Sequence, residues 1–328
     1  MRPFNYTNAK NKEQALQSYT STSHYLGGGT NLVDLMKEDV ERPDQLIEVA
    51  NLDYKNIIKK EDGGFTLGGM LSNSETANHP DIRKNYPLLS MAMLSAATAQ
   101  IRNMATNAGN LLQRTRCPYF YETSMPCNKR EPGSGCGAKD GVNSLHAIFG
   151  YSDKCIATHP SDMCVALAAM DAKVEVQKVG GSSRTIDFSN FHRLPGDQPE
   201  KDNTLEHGEL ITAIHLDKPK FSDHYYYLKI RERSSYAFAL VSVAAGLQIK
   251  SGVITKAGLA MGGVAHKPWK FTEVEKFLEG KKPNKVNFEA AAEMAMQDAK
   301  PFEGNKYKVE MGKSAIVRAL TQAYERKA

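Results

Sequence analysis

The chain of 328 residues is expected to be a protein of mixed helix and strand, long enough for two or three domains and a sizeable core. Three features point to this. Alternating apolar and polar runs meet at glycine turns in IIKKEDGGFTLGGM and KVEVQKVGGSSRTIDF, which read as hairpins turning at Gly63-Gly64 and Gly180-Gly181. Helical spacing dominates elsewhere, in PLLSMAMLSAATAQIRN and in the final FTEVEKFLEG, FEAAAEMAMQDAK and SAIVRALTQAYERKA. Residues 111–160 fit neither pattern, and they hold Cys117, Cys127, Cys136 and Cys155.

Composition excludes several classes of function. The chain is 41% hydrophobic and 24% charged, with a net charge of +5 and basic residues scattered among acids, so nothing supports a nucleic-acid partner. No apolar run approaches membrane-spanning length, so no membrane insertion is expected. The start, MRPFNYTNAKNKEQALQSY, lacks an apolar core after its basic residue and does not read as a secretory signal.

The first chemical motif is YLGGGTNLVDLMK. Tyr25 and Leu26 end a strand, Gly27, Gly28 and Gly29 permit a tight turn, and Thr30 with Asn31 can cap a helix from Leu32 to about Asp39. Unpaired N–H groups at such a place suit a phosphate, although the pattern is neither the Rossmann fingerprint nor the P-loop. A second turn, TNAGNL, presents Thr106, Gly109 and Asn110. Two such turns suggest one extended ligand gripped from two sides.

Between the turns, QLIEVANL reads as a strand and residues 72–85 as a helix capped by Ser74. After them, HPSDMCVALAAM reads as a helix capped by Ser161, with Asp162 in its first turn and Cys164 buried in its body. ELITAIHL, HYYYLKIRER and VITKAGLAMGGV read as strands, and DKPKFSD as a boundary. In LKIRER, Lys229, Arg231 and Arg233 share a face, as either a solvated surface or a support for an anionic cofactor.

The cysteines pose their own problem. No two are closer than nine positions, which argues against the close pairs typical of zinc, and neither His146 nor His159 falls in a finger-like frame. A segment so rich in Pro, Gly, Asn and charge is either disordered or held by something other than an apolar core. Spacing alone leaves two readings open: an iron-sulfur cluster, or thiols that are free or disulfide-bonded.

LGGGTNLVDLMK, TNAGNLLQRTRCPYFY, THPSDM and MGGVAHKPWK, in that order, resemble the FAD-binding middle subunits of the xanthine oxidase family of molybdenum hydroxylases. The resemblance is nearest to those of bacterial three-subunit periplasmic aldehyde oxidoreductases, and it spans essentially the whole chain. It implies an α+β protein: a two-subdomain FAD-binding fold of the vanillyl-alcohol oxidase type, followed by a smaller C-terminal α+β domain. The divisions fall at 1–218, with subdomains of about 1–55 and 56–218 and the insertion 111–160, and at 219–328.

By position, the resemblance implies that Leu26, Gly27, Gly28, Gly29, Thr30, Asn31 and Leu32 cradle the FAD pyrophosphate through backbone donors. Thr106, Gly109 and Asn110 would hold it from the second turn, Asp162 would bond cofactor hydroxyls, and Lys229 would lie near the flavin end. Most members of the family pass from the second turn to the Ser-Asp pair in a short loop, whereas here Asn110 and Asp162 are 52 positions apart. In the aldehyde oxidoreductase subunits such an insertion binds a [4Fe-4S] cluster, which makes Cys117, Cys127, Cys136 and Cys155 the expected ligands.

The implied activity is electron relay, from iron-sulfur centres through FAD to an external acceptor, with no catalytic residue on this chain. Substrate oxidation would belong to a molybdenum-cofactor large subunit, and a small subunit would carry [2Fe-2S] centres. The chain would stay in the cytoplasm, or reach the periplasm by co-export with a partner bearing a twin-arginine signal. A self-contained FAD-dependent oxidase of the same fold would share the first turn but need no cysteine insertion. A zinc-stabilised binding module would leave both turns unexplained.

Overall fold

The computed structural model describes residues 1–326. Its first sheet is small and parallel: β1 (Asn5–Asn8) and β2 (Ser23–Leu26) flank β3 (Gln45–Glu48). Parallel neighbours need crossover connections, and the helices Lys12–Gln17 and Leu32–Lys37 supply them. The glycine turn therefore leaves the carboxyl end of β2 and enters a helix. That helix is shorter than its pattern suggests, because Asp39 adopts φ 57° just beyond its end.

The second sheet is antiparallel, in the order β4 (Ile57–Lys59), β5 (Phe65–Gly68), β8 (Leu210–Leu216), β6 (Lys173–Gln177), β7 (Ser183–Asp187). The two expected hairpins form its edges, and β8, far along the chain, closes the middle. The third sheet runs β12 (Trp269–Lys270), β11 (Val253–Gly262), β10 (Val241–Lys250), β9 (His224–Ile230). Period-two alternation divides β10 between two cores. Val243, Ala245 and Leu247 pack with Phe288, Ile316 and Leu320 of the terminal helices, while Ala244 faces the core that contains the helix Asp162–Ala169. Every residue of that helix is buried, which fits its apolar sequence.

Two helices differ from expectation. The cap of residues 72–85 is Ser72, not Ser74: Ser72 and Glu75 form a reciprocal capping box, and the helix stops at Asn78 before a second begins at Pro80. PLLSMAMLSAATAQIRN breaks into Pro87–Ser95 and Ala99–Met104, because Ala97 turns to φ 46° and Thr98 caps a new start by accepting from the Ile101 N–H.

Residues 111–160 contain only two helices of four residues, Pro118–Tyr121 and Gly137–Asp140, so polar groups carry much of their order. Asn128 Oδ1 accepts from Gly133 N and Gly135 N at 3.1 and 2.9 Å, and its Nδ2 donates to Lys154 O at 2.9 Å. Arg114 ties the start of the segment to distant chain: its backbone N–H donates to Asn31 Oδ1 at 3.0 Å, its Nε to Asp202 Oδ2 at 2.8 Å, and its guanidinium also pairs with Glu41. Lys129, with 1% of its side chain exposed, donates to Pro199 O at 2.7 Å and pairs with the same Asp202.

The last family-like motif braces the segment from the third sheet. Trp269 stacks on Phe149 at 5.1 Å, Val264 O accepts from Ile148 N and Phe149 N, and Ala265 O accepts from His159 N.

Burial opposes the charge on Asp202, but Lys129, Arg114 and His266 together outweigh it and hold the carboxyl well below the usual carboxylate range. Asp202→Asn strands the buried Lys129 ammonium and leaves Arg114 with Glu41 alone, and is expected to cost about 3 kcal/mol at neutral pH, read from the denaturant midpoint. Since the folded pKa is depressed, the contribution is complete above the unfolded value of about 3.9 and fades as pH falls toward the folded one. The difference between wild type and variant should therefore shrink in acid; a constant difference contradicts this account.

Candidate cofactor site

The site begins where β2 ends. A Cβ on Gly28 would lie 1.7 Å from the Met104 carbonyl oxygen, and one on Gly27 would lie 2.7 Å from Thr106 Oγ1, so the two turns meet almost backbone to backbone. Only glycine permits that approach. Among the described residues, no protein acceptor takes the N–H groups of Gly28, Gly29, Thr30, Asn31 or Leu32. A row of free donors beside a cradle that a Cβ would fill fits an anionic diphosphate.

The second turn behaves differently. Thr106 caps a short helix, Asn107–Leu111, and the backbone donors of residues 107–110 are all used. Asn107 N donates to Leu71 O, Ala108 N to Gly69 O, Gly109 N to Thr106 Oγ1 and Asn110 N to Thr106 O, at 2.8 to 3.1 Å. The Asn110 side chain is also engaged, donating to Asn73 Oδ1 and accepting from Ser161 Oγ, each at 2.5 Å. This turn offers the Thr106 hydroxyl proton rather than backbone donors.

Both turns line one cavity of about 920 Å³, at the upper end of ordinary ligand pockets. Leu26, Gly27, Gly28, Gly29, Thr30, Asn31 and Leu32 lie along it, as do Thr106, Gly109, Asn110, Asp162 and Lys229. Asp162 is buried. Its Oδ2 accepts from Lys229 Nζ and its Oδ1 from the Tyr227 hydroxyl, both at 2.7 Å. Lys229 also reaches Ser95 O at 3.2 Å and Arg231 reaches the same oxygen at 3.3 Å, so this face of β9 turns inward. The strand ends at Ile230; beyond it Arg233 bonds Tyr236 O in an exposed loop and lines the cavity with Lys229, whereas Arg231 does not line it.

Tyr227 escaped the sequence reading, though it stands two residues before Lys229 and so on the same strand face. Burial, with Asp162 beside it, pushes its hydroxyl well above the usual range and keeps it a donor.

The four thiols of the insertion line a second, small cavity, together with Phe120, Lys129, His146 and Ala157. Cys127 and Cys155 are buried and Cys117 and Cys136 half-buried, and all are free. Cys127 and Cys136 face each other across an isolated antiparallel bridge. Burial pushes the Cys117 thiol up to about 12 and the Cys155 thiol up to about 11. Ala157 N donates to Cys155 Sγ at 3.5 Å, and Phe120 N donates to the Cys117 carbonyl oxygen at 3.0 Å. Burial thus favours the neutral thiols at these two positions.

Among the described residues, the only trio of potential metal ligands within 4.8 Å of one another is His159, Cys164 and His192. The four insertion thiols are therefore spread more widely than a single tetrahedral ion would hold them, since metal–sulfur bonds of about 2.3 Å place sulfurs roughly 3.8 Å apart. Cys164 sits apart from them in the core, as its place in the helix predicted. Burial pushes His192 down to about 4 and His159 well below the usual imidazole range, so both rings are neutral packing groups. Cys117 and His146 line both cavities and form part of the wall between them.

Residues 2–219 match the family described as the FAD binding domain in molybdopterin dehydrogenase, and residues 226–323 match the CO dehydrogenase flavoprotein C-terminal domain. The aldehyde oxidoreductase FAD-binding subunit PaoB of Escherichia coli strain K12 is 42% identical over 98% of this chain and 99% of its own length. The glyceraldehyde dehydrogenase medium chain of Sulfolobus acidocaldarius is 25% identical over 86% of this chain and 83% of its own. In fold, the chain is similar to a carbon monoxide dehydrogenase chain from Hydrogenophaga pseudoflava, with a TM-score of 0.77, 21% identity and coverage of 100% of this chain and 99% of that one. The expected family and fold class are thus borne out: the chain belongs to the molybdenum hydroxylase family, among its FAD-binding medium oxidoreductase subunits.

Proposed function

We propose that this chain is the electron-transfer flavoprotein subunit of a molybdenum-containing aldehyde oxidoreductase, relaying electrons from iron-sulfur centres through FAD to an external acceptor. It would carry a [4Fe-4S] cluster on Cys117, Cys127, Cys136 and Cys155, and would work beside a molybdenum-cofactor large subunit and a [2Fe-2S] small subunit. The observation that carries this reading is the pair of adjoining cavities, one bordered by free backbone donors and one by four free thiols, with Cys117 and His146 between them. The name of the 42%-identical relative supports the aldehyde class.

When bound, FAD would supply the coupling of one-electron to two-electron chemistry, and the protein supplies placement and tuning. The free N–H groups of residues 28–32 would hold the pyrophosphate, with the Thr106 hydroxyl donating from the opposite side. Tyr227 and Lys229 fix the Asp162 carboxylate, whose remaining lone pairs can accept from cofactor hydroxyls. Lys229 would also place a positive charge toward the flavin end. Residues 1–218 would form the FAD-binding domain and 219–328 the C-terminal domain. The complex would act in the periplasm, after co-export with a signal-bearing partner, or in the cytoplasm. A self-contained oxidase would leave the thiol cavity without a use.

The full chain, purified without oxygen, should show flavin bands over broad iron-sulfur absorption, with about four irons per chain. Cys127→Ser should lose most of that iron and keep its flavin; zinc without colour, or iron unchanged in the variant, contradicts the cluster. Gly28→Ala forces two backbones apart at a cost of about 1–3 kcal/mol, roughly fivefold to 150-fold in flavin affinity. Iron should stay. An unchanged flavin content would remove the first turn from the site.

A further inference from the structure

His146 is buried at 3% exposure, and its Nε2 lies 3.1 Å from Cys117 Sγ. Its place is set by main-chain bonds from far along the sequence. His146 O accepts from Lys308 Nζ at 2.9 Å and from Asn305 Nδ2 at 3.1 Å, and His146 N donates to Asn143 O at 3.0 Å. Lys308 is itself fully buried and also donates to Gly263 O at 2.7 Å. The other ring nitrogen, Nδ1, is buried without a partner. The main chain is thus anchored, and the buried ring has one polar contact, Nε2 to the Cys117 sulfur.

The tautomer follows from charge. A cluster-bound Cys117 is a thiolate, an acceptor only, so a neutral imidazole must turn an Nε2–H toward it and leave Nδ1 bare. The opposite tautomer would set two lone pairs against each other and bury an unsatisfied N–H. We propose that His146 is a positioning residue of the electron path: its Nε2–H donates to the Cys117 thiolate, raises the potential of the cluster, and fixes the sulfur that borders the flavin cavity. This rests on the cluster reading above. Cluster reduction adds one electron and no proton, so the extra negative charge falls partly on the sulfurs, where a hydrogen bond favours the reduced form. Cys117 and His146 border both cavities, so the tuned sulfur stands on the side where an electron would leave for the flavin.

The test is an EPR-monitored redox titration of the full chain as wild type, His146→Leu and His146→Gln, with iron measured in each. His146→Leu should lower the cluster potential enough to shift electron partition between cluster and flavin at least tenfold, about 59 mV for one electron. His146→Gln, which keeps an N–H, should restore most of it. An iron-replete His146→Leu chain with unchanged potential, or a Gln variant no better than Leu, overturns the proposal. A measurement on the unmutated chain covers the case in which the variants lose iron. With histidine nitrogen selectively labelled, pulsed EPR of the reduced cluster should show one weak imidazole coupling. No coupling, or one strong enough for direct ligation, overturns the proposal. A wild-type chain without iron would instead sink the cluster reading itself, so the two failures are distinct.

Discussion

The structure turns on a backbone contact. Gly28 approaches the Met104 carbonyl so closely that even a methyl group would collide with it, and this brings the turn after β2 against the segment that leads into Thr106. From that contact follow the cavity between the turns, the exposure of the N–H groups of residues 28–32, and the position of Arg114, whose backbone donates to Asn31 just beyond the second turn. The division of labour between the turns is physical. One has donors to spare, while the other spends the N–H groups of residues 107–110 on its cap and on residues 69 and 71.

The insertion shows a second way to order a chain. Its apolar content is too low for a core of its own, and the protein compensates with long-range charge. Asp202 gathers Lys129 and Arg114, while Asn128 ties one loop around its amide. Such a framework fixes backbone, and it brings the four sulfurs around one small cavity. The C-terminal helices join in through Lys308 and Asn305, which hold the main chain at His146. One wall of the thiol cavity is therefore tied to residues near 305.

Much of this was legible in the sequence because it is local. The glycine turn after β2, the hairpins at Gly63-Gly64 and Gly180-Gly181, the Ser161 cap and the burial of Cys164 each depend on neighbours a few positions away. What escaped was set by distance. Tyr227 meets Asp162 across 65 positions and Arg114 meets Asp202 across 88, and nothing in either short motif announces the other. The broken helix at Ala97 escaped for another reason: helical spacing continued through it, and only the competing cap at Thr98 decided the matter. LKIRER reads as one face, yet the strand stops before Arg233, which no period-two pattern could reveal.

The central claim is that the contact between the turns makes a diphosphate clasp, and calorimetric titration of the flavin-stripped full chain tests it most directly. Riboflavin carries the ring system without the phosphates. If the free donors of residues 28–32 meet the pyrophosphate, FAD should bind at least about a hundredfold more tightly than riboflavin, since two charge-assisted hydrogen bonds contribute roughly 1.5–3 kcal/mol each. ADP should compete with it. Riboflavin binding as tightly as FAD would contradict the account.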